Sequence, residues 1–453
     1  MKERKGRDSF RSSLGVLLAM AGSAVGLGNL WRLPYLVGEN GGAAFIIIYL
    51  IAIVFLSIPV FISEFMIGRR AQANVFSACK NLSPRKEWGI IGVFCLLSVF
   101  CILSFYSVVG GWSVNYLGRA IIFQFTRENG SAELETMFSN FVENPWLPLI
   151  FHTVFLLLTS IIVILGIQKG IEKFSKVMMP VLFFIIVLIA IRSLTLDGAS
   201  SGINYLFKPD FSKITAQTVI AALGQAFFSL SIGCGTIMTY GSYVSRDENL
   251  LKCSVGTVLS DTLFALIAGC AIMPAVFAFG ISPSEGPGLV FITLPHIFSQ
   301  MHFGGVIAVA FFFTLLLAAL TSSISLLEVV VAFAVESLKM SRKKAVISSF
   351  SLFWTIGALC SLSQGRLSDF TIFGKNIFDL LDYISANILM LGGGLLTVIF
   401  TGWVLGRKVI EEELTNRGAI HYPPRFVNGF IFMIKYIAPI VIIAILLATY
   451  GVF

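Results

Sequence analysis

The sequence predicts an all-α polytopic membrane protein, on the strength of its composition, its apolar runs and its distribution of basic residues. Of the 453 residues, 57% are hydrophobic and 12% are charged, and the mean hydropathy is +0.89. This composition is too apolar for a soluble protein of that length. Apolar runs of about 20 residues, each long enough to cross a bilayer as a helix, recur along the whole chain.

We expect about eleven membrane-spanning helices. They are predicted at residues 12–36, 43–68, 88–123, 149–167, 175–195, 217–241, 250–279, 304–338, 345–363, 377–405 and 429–451. The chain then divides into a cytoplasmic N-terminal segment (1–11), five spans (12–196), five more spans (216–406), and a cytoplasmic loop followed by the last span (407–453).

The basic residues predict the orientation of these spans. About 23 of the 32 Lys and Arg residues lie in the N-terminal segment and in every second connecting loop. Cytoplasmic loops retain Lys and Arg, so we expect the N-terminus to be inside. After an odd number of spans, Phe453 is expected outside.

Several classes of function are disfavoured by the sequence. The net charge of +8 is accounted for by the cytoplasmic loops, so no nucleic-acid partner is expected. The seven cysteines predict neither a disulfide framework nor a metal site, because they fall in spans or cytoplasmic loops without CxxC spacing. A haem enzyme would need axial ligands, a channel would need a filter, and neither pattern is present. We therefore expect no enzyme activity.

The first predicted span is interrupted by the stretch AGSAVGLGNLWR at residues 21–32. Gly22, Gly26 and Gly28 weaken the helix, and Asn29 adds a polar amide. Backbone that is not helical is tolerated in a bilayer only where it is buried in protein or lines a polar cavity. For this span alone, close helix packing explains the glycines better.

A second interruption occurs in the sixth predicted span, AALGQAFFSLSIGCGTIMTY. It carries Gly224, Gly233 and Gly235 together with polar side chains such as Gln225. This span opens the second half of the chain as the first span opens the first half. Paired interruptions at corresponding positions of two halves indicate a transporter site at the interface of an inverted repeat. A repeat of five spans places the second copy upside down.

Five segments resemble the signature segments of one transporter family. They are AMAGSAVGLGNLWRLPY (19–35), ENGGAAF (39–45), QAFFSLSIGCGTIMTYGSYV (225–244), FITLPHIFSQ (291–300) and LTSSIS (320–325). In order and spacing they are similar to those of the neurotransmitter:sodium symporters. The resemblance implies the LeuT fold, with a 5+5 inverted repeat and discontinuous helices 1 and 6, and a bacterial amino-acid transporter of the cytoplasmic membrane.

The resemblance also implies two sodium sites. The first would comprise Ala24, Asn29, Ser229 and Asp261. The second would comprise Gly22, Val25, Ala318, Thr321 and Ser322. Oxygen ligands suit a hard cation. Taken alone, the Thr-Ser pair is more typical of hydroxyls bonded back to their own helix.

An amino-acid substrate is implied between these sites, with its carboxylate at the amides of Leu27 and Gly28, the Tyr106 hydroxyl and the first sodium. Its ammonium group would meet carbonyls of the two broken helices and the Ser231 hydroxyl. The residues expected to bind substrate are Ala24, Leu27, Gly28, Ile102, Tyr106, Phe228, Ser229, Ser231, Cys234, Ser322 and Leu326.

Two positions in this pocket bear on the cargo. Monoamine carriers of the family have an aspartate where Gly26 stands, so the resemblance implies an amino acid and not a monoamine. The family often has a bulky aromatic residue where Cys234 stands. The smaller side chain leaves room for a ring on the substrate, and sulfur packs well against ring edges. We therefore expect an aromatic amino acid, tyrosine first. The alternative is that Cys234 only packs and the substrate is aliphatic, such as leucine.

Asp261 departs from the family pattern, which usually has an asparagine there. Chloride-dependent relatives use a serine one turn later, where this chain has Ala265. We hypothesise that Asp261 supplies the charge that offsets sodium, so that chloride is not required. A protonated, neutral Asp261 is the alternative.

Gates are implied on both sides of the site. Arg32 and Asp382 resemble the outer ion pair of the family, above a lid of Tyr106 and Phe228. The inner pair would be Arg7 with Glu336, assisted by Tyr243. Glu64 and Glu328 are expected to be buried and hydrogen-bonded, without an assigned role in transport.

The sequence thus predicts a sodium-coupled symporter that imports an amino acid by alternating access. Its partners would be the substrate and the lipid bilayer, and the oligomeric state is not predicted. A membrane sensor that binds an amino acid without moving it is the remaining alternative, since only flux separates a sensor from a carrier.

Overall fold

The structure is a computed structural model that describes residues 8–125, 131–281 and 288–450. Within these ranges the regular structure is helical, and the only β-type pairing is an isolated bridge between Ile372 and Lys375. The all-α prediction is therefore confirmed.

Apart from a short 3-10 turn at Phe211–Lys213, the described ranges contain seventeen helices, numbered in chain order. They are α1 (Ser13–Ala24), α2 (Gly28–Glu39), α3 (Ala43–Ala71), α4 (Val75–Leu82), α5 (Lys86–Ile121), α6 (Ser131–Glu143), α7 (Leu147–Ile164), α8 (Ile167–Leu194), α9 (Ala199–Phe207), α10 (Ala216–Ser229), α11 (Thr236–Gly241), α12 (Leu250–Ala278), α13 (Leu289–Gln300), α14 (Gly304–Glu336), α15 (Arg342–Leu362), α16 (Ile377–Leu414) and α17 (Pro424–Thr449).

Nine helices in the described part of the chain are long and apolar enough to cross a membrane, and α1 with α2 makes a tenth if that bent pair is one span. The remaining predicted span, 217–241, corresponds to α10 and α11. Neither piece is a span by length, because residues 230–235 interrupt the helix. The helix predicted at 377–405 continues to Leu414, although Gly406 takes a left-handed φ of 78° there.

The first break separates α1 from α2. The Ser12 hydroxyl caps α1 by accepting a bond from the Gly15 amide, and α1 ends at Ala24. Val25 is extended, with φ −67° and ψ 105°, and the axis bends by 50° before α2. The freed Leu27 amide donates to the Tyr106 hydroxyl at 3.3 Å, so the break is stabilised by a side chain of α5.

The second break, residues 230–235, is left-handed at three positions. Ser231, Gly233 and Gly235 have φ of 52°, 87° and 78°. The Gly233 amide donates to Oε1 of Glu64 at 2.6 Å, and Glu64 is fully buried on α3. Burial and hydrogen bonding of Glu64 are thus as expected. The contact supplies an acceptor for an amide that the interrupted helix leaves without one.

The two breaks lie at the centre of the helix packing. Helix α5 packs against α14 and α7, while α1 packs against α12, α8 and α14. Every residue of α11 is buried, as are the last residues of α1 from Ala19 to Ala24. The irregular backbone is therefore enclosed by protein and does not face lipid.

A buried ion pair joins the ends of α3 and α16. Arg69 and Glu413 meet at 2.7 Å, and their side chains are 1% and 5% exposed. Arg69 also donates to the Glu248 carbonyl oxygen at 2.7 Å, in the connection between α11 and α12. One guanidinium group thus holds three segments together.

Replacing Glu413 by leucine is expected to lower the free energy of unfolding by about 3 kcal/mol, because it leaves the buried Arg69 with neutral acceptors only. Thermal unfolding of the detergent-solubilised protein measures this change. Glu411→Leu is the matched control on the same helix, since Glu411 pairs with Arg407 on the surface and is expected to contribute less than about 1 kcal/mol. Equal shifts for the two variants would contradict the prediction.

Gly233→Ala is expected to destabilise the fold strongly. A Cβ atom at this position would overlap the carbonyl oxygen of Met390 on α16, and alanine disfavours a left-handed backbone by about 1–2 kcal/mol. Gly224→Ala is the control, because a Cβ there meets no atom within 4 Å in the described structure. The melting temperature should fall for the first variant alone. A similar fall for both would refute the packing argument.

Candidate functional site

A central cavity lies where the two breaks meet α5 and α14. The space between its atoms is about 420 Å³, a figure that includes space open to solvent. All residues predicted to bind substrate line it: Ala24, Leu27, Gly28, Ile102, Tyr106, Phe228, Ser229, Ser231, Cys234, Ser322 and Leu326. Gly26 and Met390 also line it and were not among the predicted contacts.

Gly26 keeps the cavity open at the first break. A Cβ atom on Gly26 would lie 2.5 Å from the Ser322 hydroxyl oxygen and 3.1 Å from the Tyr106 hydroxyl oxygen. A side chain at this position therefore requires both neighbours to move. Glycine at this position supplies no carboxylate to the cavity.

A cluster of oxygen atoms adjoins the cavity at Asn29, Ser229 and Asp261, each at most 2% exposed. The Asn29 amide donates to Oδ1 of Asp261 at 2.7 Å, and the Ser229 hydroxyl donates to Oδ2 at 2.7 Å. The Ser229 hydroxyl also lies 3.1 Å from the side-chain oxygen of Asn29. Both oxygens of Asp261 act as acceptors, as in a carboxylate. Ala24, predicted with this cluster, contributes to the adjoining cavity wall.

Two further contacts, one to this cluster and one to the adjoining backbone at Gly28, were not predicted from the sequence. The Tyr49 hydroxyl donates to the Ser229 hydroxyl oxygen at 3.4 Å, and Nε2 of Gln225 reaches the Gly28 carbonyl oxygen at 3.5 Å. Both side chains are buried, Tyr49 on α3 and Gln225 on α10. A polar group at an apolar position was the available signal for Gln225, whereas a tyrosine in a membrane helix is too common to single out.

A second oxygen cluster joins α1 to α14. The Thr321 hydroxyl lies 3.4 Å from the Val25 carbonyl oxygen and 3.0 Å from that of Ala318. The Ser322 hydroxyl donates to the Val25 carbonyl oxygen at 3.3 Å. Gly22 completes the group, because a Cβ on it would lie 3.2 Å from Cβ of Thr321. All residues predicted for the second sodium site are therefore neighbours.

The atoms of both clusters that could coordinate a metal ion are carbonyl, hydroxyl, amide and carboxylate oxygens. Hard cations prefer such ligands. Among the residues that the structure describes, no group of three or more His, Cys, Asp or Glu side chains could hold a metal ion. The single carboxylate, Asp261, gives the first cluster one formal negative charge when it is ionised.

A larger vestibule with about 1300 Å³ of space opens on one side of the central cavity. Tyr106 and Phe228 line both spaces and separate them. Arg32 and Asp382 line the vestibule, and the Arg32 guanidinium lies 4.4 Å from the centre of the Phe228 ring. Arg32 and Asp382 both lie within the described ranges, and no nitrogen of Arg32 is within 4.0 Å of a carboxylate oxygen of Asp382. The two residues of the predicted outer pair thus lie close to the lid but do not form an ion pair in this structure.

The opposite side of the cavity is packed. The Phe10 amide donates to the Tyr243 carbonyl oxygen at 3.1 Å, and the Tyr243 hydroxyl donates to Oε1 of Glu328 at 2.7 Å. Arg342 forms an ion pair with Glu328, which is fully buried as expected. Tyr243 therefore contacts Glu328, which has no assigned role in transport, and Arg342 was not predicted to take part.

Of the predicted inner pair, Glu336 accepts bonds from the backbone and side-chain amides of Asn74, at 2.8 and 3.1 Å. Arg7 lies outside the described residues.

Comparison with known proteins identifies the family. The chain matches the sodium:neurotransmitter symporter family over residues 7–144 and 149–453. It is 38% identical to the uncharacterized sodium-dependent transporter YhdH of Bacillus subtilis, over 98% of both chains. It is also 38% identical, again over 98% of both, to an uncharacterized sodium-dependent transporter of Haemophilus influenzae.

A solved structure agrees with these relatives. The crystal structure of MhsT in complex with L-phenylalanine, a protein with the LeuT fold, is 42% identical to this chain. The two match with a TM-score of 0.90, over 98% of this chain and 100% of that one. The chain therefore belongs to the sodium:neurotransmitter symporter family, and is a multi-pass, sodium-dependent membrane transporter of the LeuT fold and not an enzyme.

Proposed function

We propose that this transporter imports an aromatic amino acid, tyrosine first, together with two sodium ions and without chloride. The observation that carries the proposal is the meeting of two broken helices at one cavity, flanked by two clusters of oxygen atoms. The cavity is apolar on the side of Ile102 and Leu326 and polar at the helix breaks. That division matches the apolar side chain and the charged backbone groups of an amino acid.

The helix ends supply the electrostatics. The C-terminal end of α1 is the negative end of its dipole, and the N-terminal end of α2 is the positive end. A substrate carboxylate at the amides of Leu27 and Gly28 would face the positive end and could also ligate a sodium ion beside Asn29. The Leu27 amide and the Tyr106 hydroxyl already lie together at 3.3 Å. The substrate ammonium group would face carbonyl oxygens of α1 and α10.

The first sodium site is assigned to Ala24, Asn29, Ser229 and Asp261, and the second to Gly22, Val25, Ala318, Thr321 and Ser322. In the second site the hydroxyls of Thr321 and Ser322 currently donate to carbonyl oxygens that a cation would share. A bound cation requires those hydroxyls to rotate and present lone pairs. Each site is then a set of oxygens of low total charge, which suits a monovalent ion.

An aromatic cargo is supported by the size of Cys234 and by the solved relative. Cys234 is fully buried in the cavity wall, and its thiol donates a hydrogen bond to the Ser231 carbonyl oxygen at 2.9 Å. A short side chain there leaves space at the end of the pocket, and sulfur near a ring edge is favourable. The MhsT crystal contains L-phenylalanine. Leucine is the alternative substrate that the test below distinguishes.

Chloride independence follows from the charge of Asp261. Its carboxylate would balance one sodium ion inside the membrane, where an uncompensated charge is costly. The residue one turn later, Ala265, is fully buried and has no group that could bind an anion. No second negative charge is then needed beside the sodium.

Alternating access would follow from the two halves, 12–196 and 216–406, acting as inverted repeats. Sodium would favour the form with an open vestibule, and the substrate would close Arg32 toward Asp382 above Phe228. The helices α1 to α3 and α10 to α12 would then rock and open the packed side near Tyr243 and Glu336. In this arrangement the N-terminus is cytoplasmic and the C-terminus is outside.

Uptake of labelled tyrosine into proteoliposomes under an inward sodium gradient tests the proposal. We expect accumulation that requires sodium and that unlabelled tyrosine, phenylalanine and tryptophan displace at lower concentrations than leucine. Better displacement by leucine would retain the symporter and reject the aromatic preference. Binding of tyrosine without sodium-dependent uptake would reject transport in favour of a sensor.

Replacing chloride by gluconate should leave this uptake unchanged in the wild type. Asp261→Asn should raise the half-saturating sodium concentration by about tenfold or more, equivalent to about 1.4 kcal/mol, because the four residues assigned to the site lose their one carboxylate. Asp369→Asn, at an exposed position outside the clusters, is the control that should behave as the wild type. Loss of wild-type uptake in gluconate, or an unchanged sodium dependence in the Asp261 variant, would contradict the charge argument.

A further inference from the structure

We propose that Met390 is a movable partition that sets how large an aromatic side chain the central cavity accepts. The inference rests on the proposed amino-acid function and names a specificity-determining residue within it. Met390 lines the central cavity and also a second pocket, called here the side pocket. The side pocket lies among α2, α10, α16 and α17. The space between its atoms is about 590 Å³, a figure that includes space open to solvent.

Among the described residues, Phe228 and Met390 alone line both spaces, so these two side chains form the wall between them. Phe228 is held in place. The Arg32 guanidinium lies 4.4 Å from its ring centre, and Gly28 packs against its ring, since a Cβ on Gly28 would lie 3.2 Å from it. Any opening of this wall without disturbing the lid must therefore come from Met390.

The backbone of Met390 is fixed while its side chain is adaptable. Its amide donates to the Ser385 carbonyl oxygen, at the end of a wide π-helical turn. Its carbonyl oxygen lies against Gly233, and a Cβ on Gly393 would lie 2.5 Å from the Gly233 carbonyl oxygen. The thioether side chain is unbranched and has three rotatable bonds, so it can change rotamer in place.

The side pocket has room for the displaced side chain or for a ring. A Cβ on Gly224, which lines this pocket, would meet no atom within 4 Å. Rotation of Met390 would join the side pocket to the cavity near Cys234. We expect the cavity to take a single aromatic ring with the partition closed, and a bicyclic indole to use the space that opens. Two sulfur atoms, of Met390 and Cys234, would contact the ring edges.

The test is equilibrium binding of tyrosine, tryptophan and naphthylalanine to the purified protein in sodium, with uptake measured in parallel. In Met390→Ile the β-branched side chain is stiff at χ1. We expect its affinity for tryptophan relative to tyrosine to fall by about tenfold. In Met390→Ala the wall is absent, and naphthylalanine should gain about tenfold relative to tyrosine.

Met273→Ile is the matched control, because Met273 is a buried methionine on α12 that lines neither space. It should leave both ratios unchanged. Ratios within twofold of wild type in both Met390 variants, or no binding of any of the three amino acids, would overturn the inference. Altered binding ratios without sodium-dependent uptake would uphold the partition and reject the proposed transport, so the two failures are distinguishable.

Discussion

Backbone amides and carbonyls inside a membrane need partners, and this requirement governs the centre of the molecule. Both broken helices meet it with side chains from elsewhere in the chain. The Leu27 amide uses the Tyr106 hydroxyl, the Gly233 amide uses Glu64, and the Val25 carbonyl oxygen accepts from Thr321 and Ser322. These partners belong to α5, α3 and α14, so the breaks can exist only within the complete helix packing.

The charged side chains in the interior are paired or hydrogen-bonded within local networks. Asp261 accepts two hydrogen bonds. Glu328 forms an ion pair with Arg342 and accepts a hydrogen bond from Tyr243. Arg69 forms an ion pair with Glu413. A charge without a partner is costly in this environment. The first network adjoins the cavity, the second lies on its packed side, and the third ties α3 to α16. Each network therefore also joins helices that are distant in sequence.

Shared residues link the cavity to the two oxygen clusters. Ser229 belongs to the cavity wall and to the first cluster, and Ser322 belongs to the wall and to the second. A change in the orientation of either hydroxyl alters both the wall and a cluster. In the proposed mechanism this sharing makes sodium binding and substrate binding interdependent. Two ligands that favour one orientation of the same hydroxyl group alter each other's binding free energy.

The sequence alone determined the all-helical membrane fold, the positions of the breaks and the residues predicted around them. Those features depend on local signals, such as apolar runs of bilayer length, glycines within a span and short motifs. The tertiary structure decided which distant residues meet, including Met390 in the cavity wall, Tyr49 beside Ser229, and Glu328 as the partner of Tyr243 and Arg342. The sequence around a methionine or tyrosine in an apolar helix does not indicate which residues it will contact, because contacts between helices depend on how the helices rotate and pack.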